Sequence, residues 1–211
     1  MPKGSPELTA ARKEEIINAC EQLYQTMSFK DITLKEIGAV TSFTRTSIYN
    51  YFQTKEEIFL ALYEREYDRW NEELVVIRKN KSLSRRKLAE KIASSIANRK
   101  QLLKLLSMNN YDMEANSRPE LLVSFKKAYG ESMRNICRLL EKFCPEMTVE
   151  DIQNFIYIFF PFMFGIYPYT EVTDKQREAM KQADIDFAYQ SIQEITYACL
   201  IRLLGEKYKA Q

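Results

Sequence analysis

Polar side chains between Arg45 and Tyr51 have the chemistry needed to read DNA bases. Arginine can donate two parallel hydrogen bonds to a guanine edge, and asparagine can pair with adenine, so Arg45 and Asn50 are candidate base contacts. Hydroxyl groups can contact bases or phosphate oxygens, and the same stretch supplies them from Thr46, Ser47, Tyr49 and Tyr51. The alternative is a helical hairpin whose polar face is only solvated.

Two short helices and a tight turn are needed to position these side chains. Thr33 followed by Glu36 has the spacing of a capping box and predicts the start of the first helix. Its apolar positions follow at helical spacing: Leu34, Ile37 and Val40. Residues 41–44 then interrupt the apolar spacing with three hydroxylated side chains, Thr41, Ser42 and Thr44, which are typical of a turn. The pattern predicts a first helix that ends near Val40.

The second helix of the pair is predicted to run from Thr44, as its cap, through Phe52. Ile48 and Phe52 are four residues apart and would face inward, which leaves the polar side chains outside. Thr54 with Glu57 forms a second capping box and starts the next helix. This arrangement is a helix-turn-helix, whose second helix fits a major groove.

The stretch from Thr33 to Glu57 resembles the N-terminal domain of the TetR/AcrR family of bacterial transcriptional regulators. The resemblance covers roughly residues 10–70, beyond which size and helical organisation agree with the family. The matching residues are Thr33, Glu36, Ile37, Ser47, Ile48, Tyr49, Asn50, Tyr51, Phe52, Thr54, Lys55 and Glu56. The resemblance implies that DNA is contacted by Thr33, Lys35, Thr44, Arg45, Thr46, Ser47, Tyr49, Asn50, Tyr51 and Lys55.

Two departures from the family pattern concern the turn. Residues 41–43 are Thr-Ser-Phe where members usually carry Ala-Gly-Val, and a left-handed conformation is easier for glycine than for serine. Thr46 stands where many relatives have glycine. We expect a differently shaped turn and a looser backbone approach to DNA, which affects individual base contacts rather than the fold.

The resemblance implies an all-α fold of about nine helices. An N-terminal three-helix domain of the helix-turn-helix type would cover residues 9–55, with the start of helix 4 extending to about residue 70. A helical ligand-binding and dimerisation domain would cover residues 56–211. The apolar periodicity of helix 4 extends from Thr54 to about Ile77, so its two halves would pack on different cores and link them mechanically.

The second half of the chain predicts several more helices. One spans residues 84–107 and is basic on one side, another runs from Pro119 to about Phe143, and a third begins after Thr148, which has Asp151 three residues on. The third contains residues 155–169, almost all apolar, in which Pro161 should produce a kink and Gly165 and Pro168 an end. A final helix is predicted over residues 184–207.

The aromatic density of this half suits an adaptable apolar pocket, although core packing or dimer contact explains the same residues. The candidate pocket residues are Trp70, Leu103, Tyr111, Phe125, Tyr129, Phe155, Phe159, Met163 and Tyr167. In the family the last two long helices pair with their copies. That resemblance implies dimer contacts by Phe160, Phe164, Tyr189, Ile192, Ile195, Cys199 and Leu203.

Composition argues for a binding protein. The 211 residues include no histidine, which removes the usual general base and the commonest metal ligand. The sequence shows no nucleophile motif or phosphate-binding loop, so we predict no enzyme activity, no cofactor and no metal. The N-terminus has no signal peptide and no apolar run is long enough to span a bilayer, so we expect a cytoplasmic protein without membrane contact.

Charge is distributed unevenly around the net value of +2. Residues 1–77 hold nine Lys or Arg against thirteen Asp or Glu, and residues 78–104 hold ten against one. The candidate DNA-binding domain is therefore not broadly basic, and phosphate contacts would come from a few placed groups and helix N-termini. The basic run 78–104 is interpreted as a solvated face, with a position near the DNA backbone as the alternative.

Two functions remain from the sequence. The first is a ligand-responsive DNA-binding regulator, a repressor rather than an activator. It would bind a near-palindromic operator as a homodimer and respond to a small apolar or aromatic effector. The alternative is a helical small-molecule binding protein without sequence-specific DNA binding.

Overall fold

The computed structural model describes residues 5–42, 44–108 and 110–206, apart from the side chains of Arg45 and Asn110. These residues form eleven α-helices and no strand, which confirms the all-α prediction. In chain order the helices are α1 (Pro6–Thr26), α2 (Leu34–Ala39), α3 (Arg45–Ile48), α4 (Lys55–Arg78), α5 (Arg85–Ala97), α6 (Lys100–Leu106), α7 (Asn110–Ala115), α8 (Pro119–Phe143), α9 (Val149–Thr170), α10 (Asp174–Gln182) and α11 (Ile192–Leu203).

The chain forms two compact units. Unit 1 comprises the described parts of Met1–Arg65 and Asn109–Tyr129, and unit 2 comprises Glu66–Met108 and the described part of Gly130–Gln211. The long helices α4 and α8 each contribute residues to both units. Helix α7 and the first part of α8 belong to unit 1. The division into functional domains at residue 55 stays a prediction.

The core of unit 1 is built from α1, α2, α3 and the start of α4. Hydrogen-bonding side chains begin the first three helices: Ser5 caps α1, Thr33 caps α2 and Thr44 caps α3. Each cap satisfies backbone N–H groups that have no partner inside the helix. Apolar side chains of these helices and of the segments between them are buried in this core: Ile16, Cys20, Ile32, Ile37, Ile48, Phe52, Ile58, Phe59 and Leu62.

The core of unit 2 lies between α5, α6, α9 and α11. Helix α11 packs against α5 and α9, and α6 packs against α9. The buried residues of α5 and α6 are almost all aliphatic, whereas α9 contributes phenylalanines and a methionine. Aromatic rings pack against each other in this core. The ring centroids of Phe155 and Phe159 are 5.5 Å apart, and those of Trp70 and Phe160 are 6.0 Å apart. Aromatic side chains thus supply much of this core.

Several helix boundaries differ from the sequence prediction. The predicted helix 84–107 is divided into α5 and α6 at Asn98 and Arg99, and α7 lies between this helix and the one predicted from Pro119, where the sequence indicated none. Residues 174–182 form α10, and α11 begins at Ile192 rather than near residue 184, because Ser191 and Glu194 form a capping box there. The count of eleven helices instead of about nine follows from these short elements.

Helix α9 does not end near Gly165 and Pro168, as the sequence pattern predicted. It runs through Pro161, Gly165 and Pro168 to Thr170. Burial of Phe155, Phe159 and Met163 holds this helix in the core, and tertiary packing of that kind overrides a local helix-breaking preference. The predicted start is confirmed, since Thr148 and Asp151 form a reciprocal capping box.

Among the helices of the described residues, no single one is long and apolar enough to cross a bilayer. Helices α9 and α10 reach the necessary length and apolar composition only as a pair, and they are bent by 83° relative to each other at the break between them.

Candidate nucleic-acid interface

Helix α3 is a short helix with one buried and one exposed side. The Thr44 hydroxyl accepts a hydrogen bond from the Ser47 N–H at 3.3 Å and lies 3.1 Å from the Ser47 hydroxyl. Ile48 is fully buried, whereas Thr46, Tyr49 and Asn50 are exposed, Tyr49 by 45 %. The buried isoleucine and the cap together fix which side of α3 faces away from the core.

The second helix of the pair is shorter than predicted. Regular α-helix ends at Ile48, and Tyr49 to Tyr51 form a turn. The Asn50 N–H donates to the Ser47 carbonyl at 3.2 Å and the Tyr51 N–H to the Ile48 carbonyl at 2.9 Å, which is three-residue spacing. Phe52 returns to four-residue spacing, with its N–H 3.0 Å from the Ile48 carbonyl. The turn is therefore continuous with α3 and keeps Tyr49 and Asn50 on its exposed side.

Two residues at the centre of the sequence argument lie partly or wholly outside the described residues. The backbone of Arg45 is the first residue of α3, but its side chain lies outside them, and so does Phe43 of the turn. The turn itself is attached to α1 by the Ser42 N–H, which donates to a carboxylate oxygen of Glu15 at 2.6 Å. This hydrogen bond lowers the pKa of Glu15. No local sequence pattern indicates this role of Glu15, because it lies 27 residues before its partner.

At the start of α2, Thr33 accepts hydrogen bonds from the Lys35 N–H at 3.2 Å and the Glu36 N–H at 3.5 Å, and its hydroxyl donates to the Glu36 carboxylate. Thr33 and Lys35 are both exposed. A cleft of about 410 Å³ lies beside them, lined by residues from the starts of α2 and α4: Thr33, Leu34, Lys35, Thr54, Lys55 and Glu56. The two predicted contacts Thr33 and Lys35 thus lie on an accessible surface of unit 1.

Tyr51 and Lys55 have structural partners rather than exposed positions. Tyr51 is only 6 % exposed, and its hydroxyl accepts a hydrogen bond from Arg12 at 3.1 Å. The Lys55 ammonium donates to the carbonyls of Phe29 at 2.7 Å and Ile32 at 3.0 Å, and it lies 4.2 Å from the centre of the Phe29 ring. Sequence spacing could not reveal either position, because the partners come from distant turns and helices. Lys55 ties α4 to the loop before α2.

Glu57 is a further residue of this region, and its main role was not evident from the sequence. It is 1 % exposed and its carboxylate accepts hydrogen bonds from the Gln53 N–H at 2.7 Å and from Arg118 Nε at 2.7 Å. Burial raises the pKa of Glu57, but the hydrogen bonds from Arg118 and Gln53 outweigh it, so the pKa lies below its usual value. The predicted cap is also present, since the Glu57 N–H donates to the Thr54 hydroxyl at 3.2 Å.

The structure divides the predicted pocket residues between the two units. In unit 2, most of them are buried in the core: Trp70, Leu103, Phe155, Phe159 and Met163. The Trp70 indole N–H donates to the Ser95 hydroxyl at 3.1 Å, and Tyr167 is half-buried. In unit 1, Phe125 packs on Tyr63 with ring centres 4.8 Å apart, Tyr129 is half-buried and Tyr111 is 83 % exposed. The exposed position of Tyr111 does not fit an enclosed pocket.

An open cleft of about 630 Å³ in unit 2 contains none of these predicted pocket residues. It lies along α4 and α5, and most of its lining residues are polar or charged: Arg69, Glu72, Glu73, Val76, Ile77, Lys91, Ser94, Ser95, Asn98 and Arg99. Glu73 and Arg99 form an ion pair within it, with Nε 2.7 Å from the carboxylate. Basic residues of the run 78–104 also pair elsewhere in unit 2, as Arg85 does with Glu146 and Lys100 with Glu171.

The predicted dimer residues fall into two groups. Phe160 is 2 % exposed and packs on Phe159 and Trp70, so it belongs to the core of unit 2 rather than to its surface. Ile192 is also buried. The others are partly or largely accessible: Phe164, Tyr189, Ile195, Cys199 and Leu203. The sequence did not single out Tyr157, Ile158 and Tyr169 of α9, which are exposed by 75, 52 and 61 %.

Comparison with protein families gave two matches along the chain. The family model for the tetracyclin repressor-like C-terminal domain matches residues 64–192, and the model for bacterial regulatory proteins of the tetR family matches residues 16–62. No curated protein matches the sequence significantly.

Solved structures of similar fold are regulators of low sequence identity. The fatty acid degradation regulator FadR from Bacillus halodurans is 15 % identical, with a TM-score of 0.59 over 92 % of this chain and 99 % of that chain. FadR from Bacillus subtilis in complex with stearoyl-CoA is 16 % identical, with a TM-score of 0.57 over the same shares. RolR in complex with resorcinol is 14 % identical, with a TM-score of 0.54 over 96 % of this chain and 92 % of that chain.

These structural likenesses show the fold, while the family models show the relationship. The C-terminal model alone spans more than half of the chain, and the N-terminal model covers the helix-turn-helix that carries the capped, outward-facing helix α3. The protein therefore belongs to the tetR family of bacterial regulatory proteins, which are ligand-responsive, DNA-binding regulators of transcription.

Proposed function

We propose that the protein is a repressor that binds a near-palindromic operator as a homodimer and is controlled by a small apolar or aromatic effector. The observation that carries the proposal is the exposed side of α3 and its following turn. Thr46, Tyr49 and Asn50 lie on the exposed side of this segment, opposite the buried Ile48, and that side has the size to enter a major groove. Repression is the simpler outcome, because occupancy of a promoter blocks transcription without a second contact surface.

A homodimer is supported by the surface of unit 2. Helix α9 exposes Tyr157 and Ile158, and α11 leaves Ile195, Cys199 and Leu203 partly accessible, so a second copy could cover this surface. A two-fold symmetric dimer presents two α3 helices, and two half-sites related by symmetry then form a near-palindrome.

The effector class is supported by the relatives. The structure of FadR from Bacillus subtilis contains stearoyl-CoA and that of RolR contains resorcinol, one ligand with a long apolar chain and one aromatic. An effector must bind the DNA-competent and the DNA-incompetent states with different affinity, since equal affinity shifts nothing. We place the effector in unit 2 and expect it to release the operator.

The test is selection of random duplex DNA by the purified full-length protein, followed by binding titrations on the enriched sequence. Three variants are compared with wild type: Asn50→Ala, Tyr49→Phe and Tyr51→Phe. Asn50→Ala should cost about 1–3 kcal/mol of operator affinity if it pairs with a base. Tyr49→Phe should weaken binding because its hydroxyl is on the exposed side. Tyr51→Phe is the matched control: it removes the same atom from a buried ring, and operator affinity should change little.

The competing function is a helical small-molecule binding protein without sequence-specific DNA binding. Failure of the folded dimer to enrich any sequence, at low salt and in the presence of stearoyl-CoA or resorcinol, would favour that alternative. Enrichment of a palindrome that the Asn50→Ala variant no longer binds would support the regulator.

A further inference from the structure

A buried carboxylate in unit 1 connects the end of the DNA-reading turn to a segment far along the chain. Glu57 accepts hydrogen bonds from Arg118 through Nε at 2.7 Å, Nη2 at 3.0 Å and the backbone N–H at 3.2 Å. Its other partner is the Gln53 N–H, directly after the turn that carries Tyr49 and Asn50. A buried charge is tolerated only when it is paired and hydrogen-bonded, so Glu57 depends on Arg118.

Arg118 also touches the reading element itself. Its Nη2 donates to the carbonyl of Tyr51 at 3.2 Å. Tyr51 lies in the turn that follows α3, so this hydrogen bond satisfies a backbone acceptor just beyond the end of that helix. A second hydrogen bond lies nearby in both segments: the Thr54 hydroxyl donates to the Asn116 carbonyl at 2.9 Å. The loop between α7 and α8 is therefore hydrogen-bonded to Tyr51 and Thr54 of the α3–α4 connection.

Polar contacts between α4 and α8 recur along both helices. In unit 1 Glu57 meets Arg118, and the Glu64 carboxylate accepts from the Ser124 hydroxyl at 2.6 Å. In unit 2 the Asn135 amide donates to Asn71 at 3.1 Å, and Lys142 donates to the Arg78 carbonyl at 2.8 Å. The α4 members lie at seven-residue intervals, which places them on one side of that helix. The partner numbers rise together, so α8 runs parallel to α4 within each unit.

We propose that Arg118 is a positioning residue for the DNA-reading turn, which it holds through Glu57 and the Tyr51 carbonyl. The proposal rests on the DNA-binding function proposed above. A shift of the loop between α7 and α8 would therefore act on the Tyr51 carbonyl directly through Arg118 and on the Gln53 N–H through Glu57.

The experiment compares Arg118→Gln and Arg118→Lys with wild type on the operator duplex obtained by selection. Operator affinity, its dependence on salt concentration and hydrogen exchange of the Gln53 amide are measured on folded protein. Arg118→Gln should lower operator affinity by roughly threefold to thirtyfold and speed exchange at Gln53. Arg118→Lys keeps the charge beside Glu57 but lacks the planar fork, so it should recover part of the loss. Since Arg118 would make no phosphate contact, the salt slope should stay unchanged.

Two controls separate positioning from stability. Lys126→Gln removes an ion pair to Glu114 in the same segment without touching the turn, and it should leave operator affinity unchanged. Arg65→Gln removes the ion pairs from α4 to Glu14 and Glu21 of α1, and it should lower stability without the change at Gln53. If Arg118→Gln does not fold, Arg118→Lys carries the test.

Three results would overturn the proposal: wild-type affinity in the folded Arg118 variants, a loss matched by Arg65→Gln at equal stability, or a salt slope reduced by about one unit, which indicates a direct phosphate contact. Failure of the wild-type protein to bind any duplex would instead contradict the proposed function, so the two failures are distinguishable.

Discussion

At the scale of single residues, partners decide what each side chain does. Tyr49 and Tyr51 are two positions apart, yet one ring is exposed and the other is buried beside Arg12. Lys55 follows the reading turn, as a phosphate-binding lysine would, but two backbone carbonyls occupy its ammonium group. Residue type therefore indicates what chemistry is possible, while burial and hydrogen-bond partners select which of those possibilities is used.

Glu57 should also make stability depend on pH. Its folded-state pKa lies below 4.5, so the stability that it contributes is complete above that value and is lost as the pH falls through the folded pKa. We expect Glu57→Gln to lower the free energy of unfolding at neutral pH and to flatten its decline in acid. Urea unfolding between about pH 3 and pH 7 measures both effects.

The control for Glu57 is Glu120→Gln, which removes a carboxylate near the same guanidinium but at the surface, 3.8 Å from Arg118. Exposed pairs of this kind contribute little, so its unfolding curves should follow wild type. Equal acid sensitivity of wild type and Glu57→Gln would show that Glu57 contributes nothing to acid unfolding.

At the scale of helices, side-chain caps determine where elements begin, and packing determines what the caps contribute. Ser191 caps α11 and Thr173 caps α10 with the same geometry, each hydroxyl accepting from an N–H three residues later at 3.2 Å. Helix α11 packs on α5 and α9, whereas α10 has no buried residue. The cap of α11 should therefore contribute to the stability of the whole core, whereas the cap of α10 should stabilise only α10 itself.

We therefore expect Ser191→Ala to lower the free energy of unfolding by about 1 kcal/mol, as loss of a helix cap does when the helix is part of the cooperative core. Thr173→Ala is the matched variant and should leave global unfolding nearly unchanged, with faster amide exchange confined to α10. Denaturant titration and hydrogen exchange provide the two readouts. An equal loss in both variants would mean that α10 unfolds together with the core.

At the scale of the whole molecule, unit 2 exposes apolar side chains that no other part of the described chain covers. Tyr157 and Ile158 lie next to each other on α9 and are exposed by 75 and 52 %. Gly165 on the same helix has open space where a side chain would begin. Exposed aromatic and aliphatic side chains close together are typical of a surface that another protein covers.

For the proposed homodimer we expect the double variant Tyr157→Glu/Ile158→Glu to raise the dimer dissociation constant at least about tenfold, because charge would be placed in an apolar contact. Light scattering after size-exclusion chromatography and sedimentation equilibrium measure the change. Val123→Glu alters an exposed valine of unit 1 and should leave association unchanged. A wild-type monomer, or a dimer indifferent to the double variant, would contradict the proposed interface.

Features that depend on residues close together in the chain could be predicted from the sequence alone. The caps at Thr33, Thr44 and Thr148 are confirmed, and so is the all-α class, because capping and apolar periodicity involve residues within a few positions of each other. The helix-turn-helix and its inward residue Ile48 follow from the same short-range pattern. The family resemblance also rests on that stretch, and the family models confirm it.

Features that depend on contacts between residues far apart in the chain became evident from the folded structure. Arg118 lies 61 residues from Glu57, and nothing in the local pattern of either residue indicates the other. The core position of Phe160, the passage of α9 through Pro168 and the assignment of α7 to unit 1 have the same origin. Burial is a property of how helices pack, so a periodic pattern shows which side of a helix is apolar but not which partner covers it.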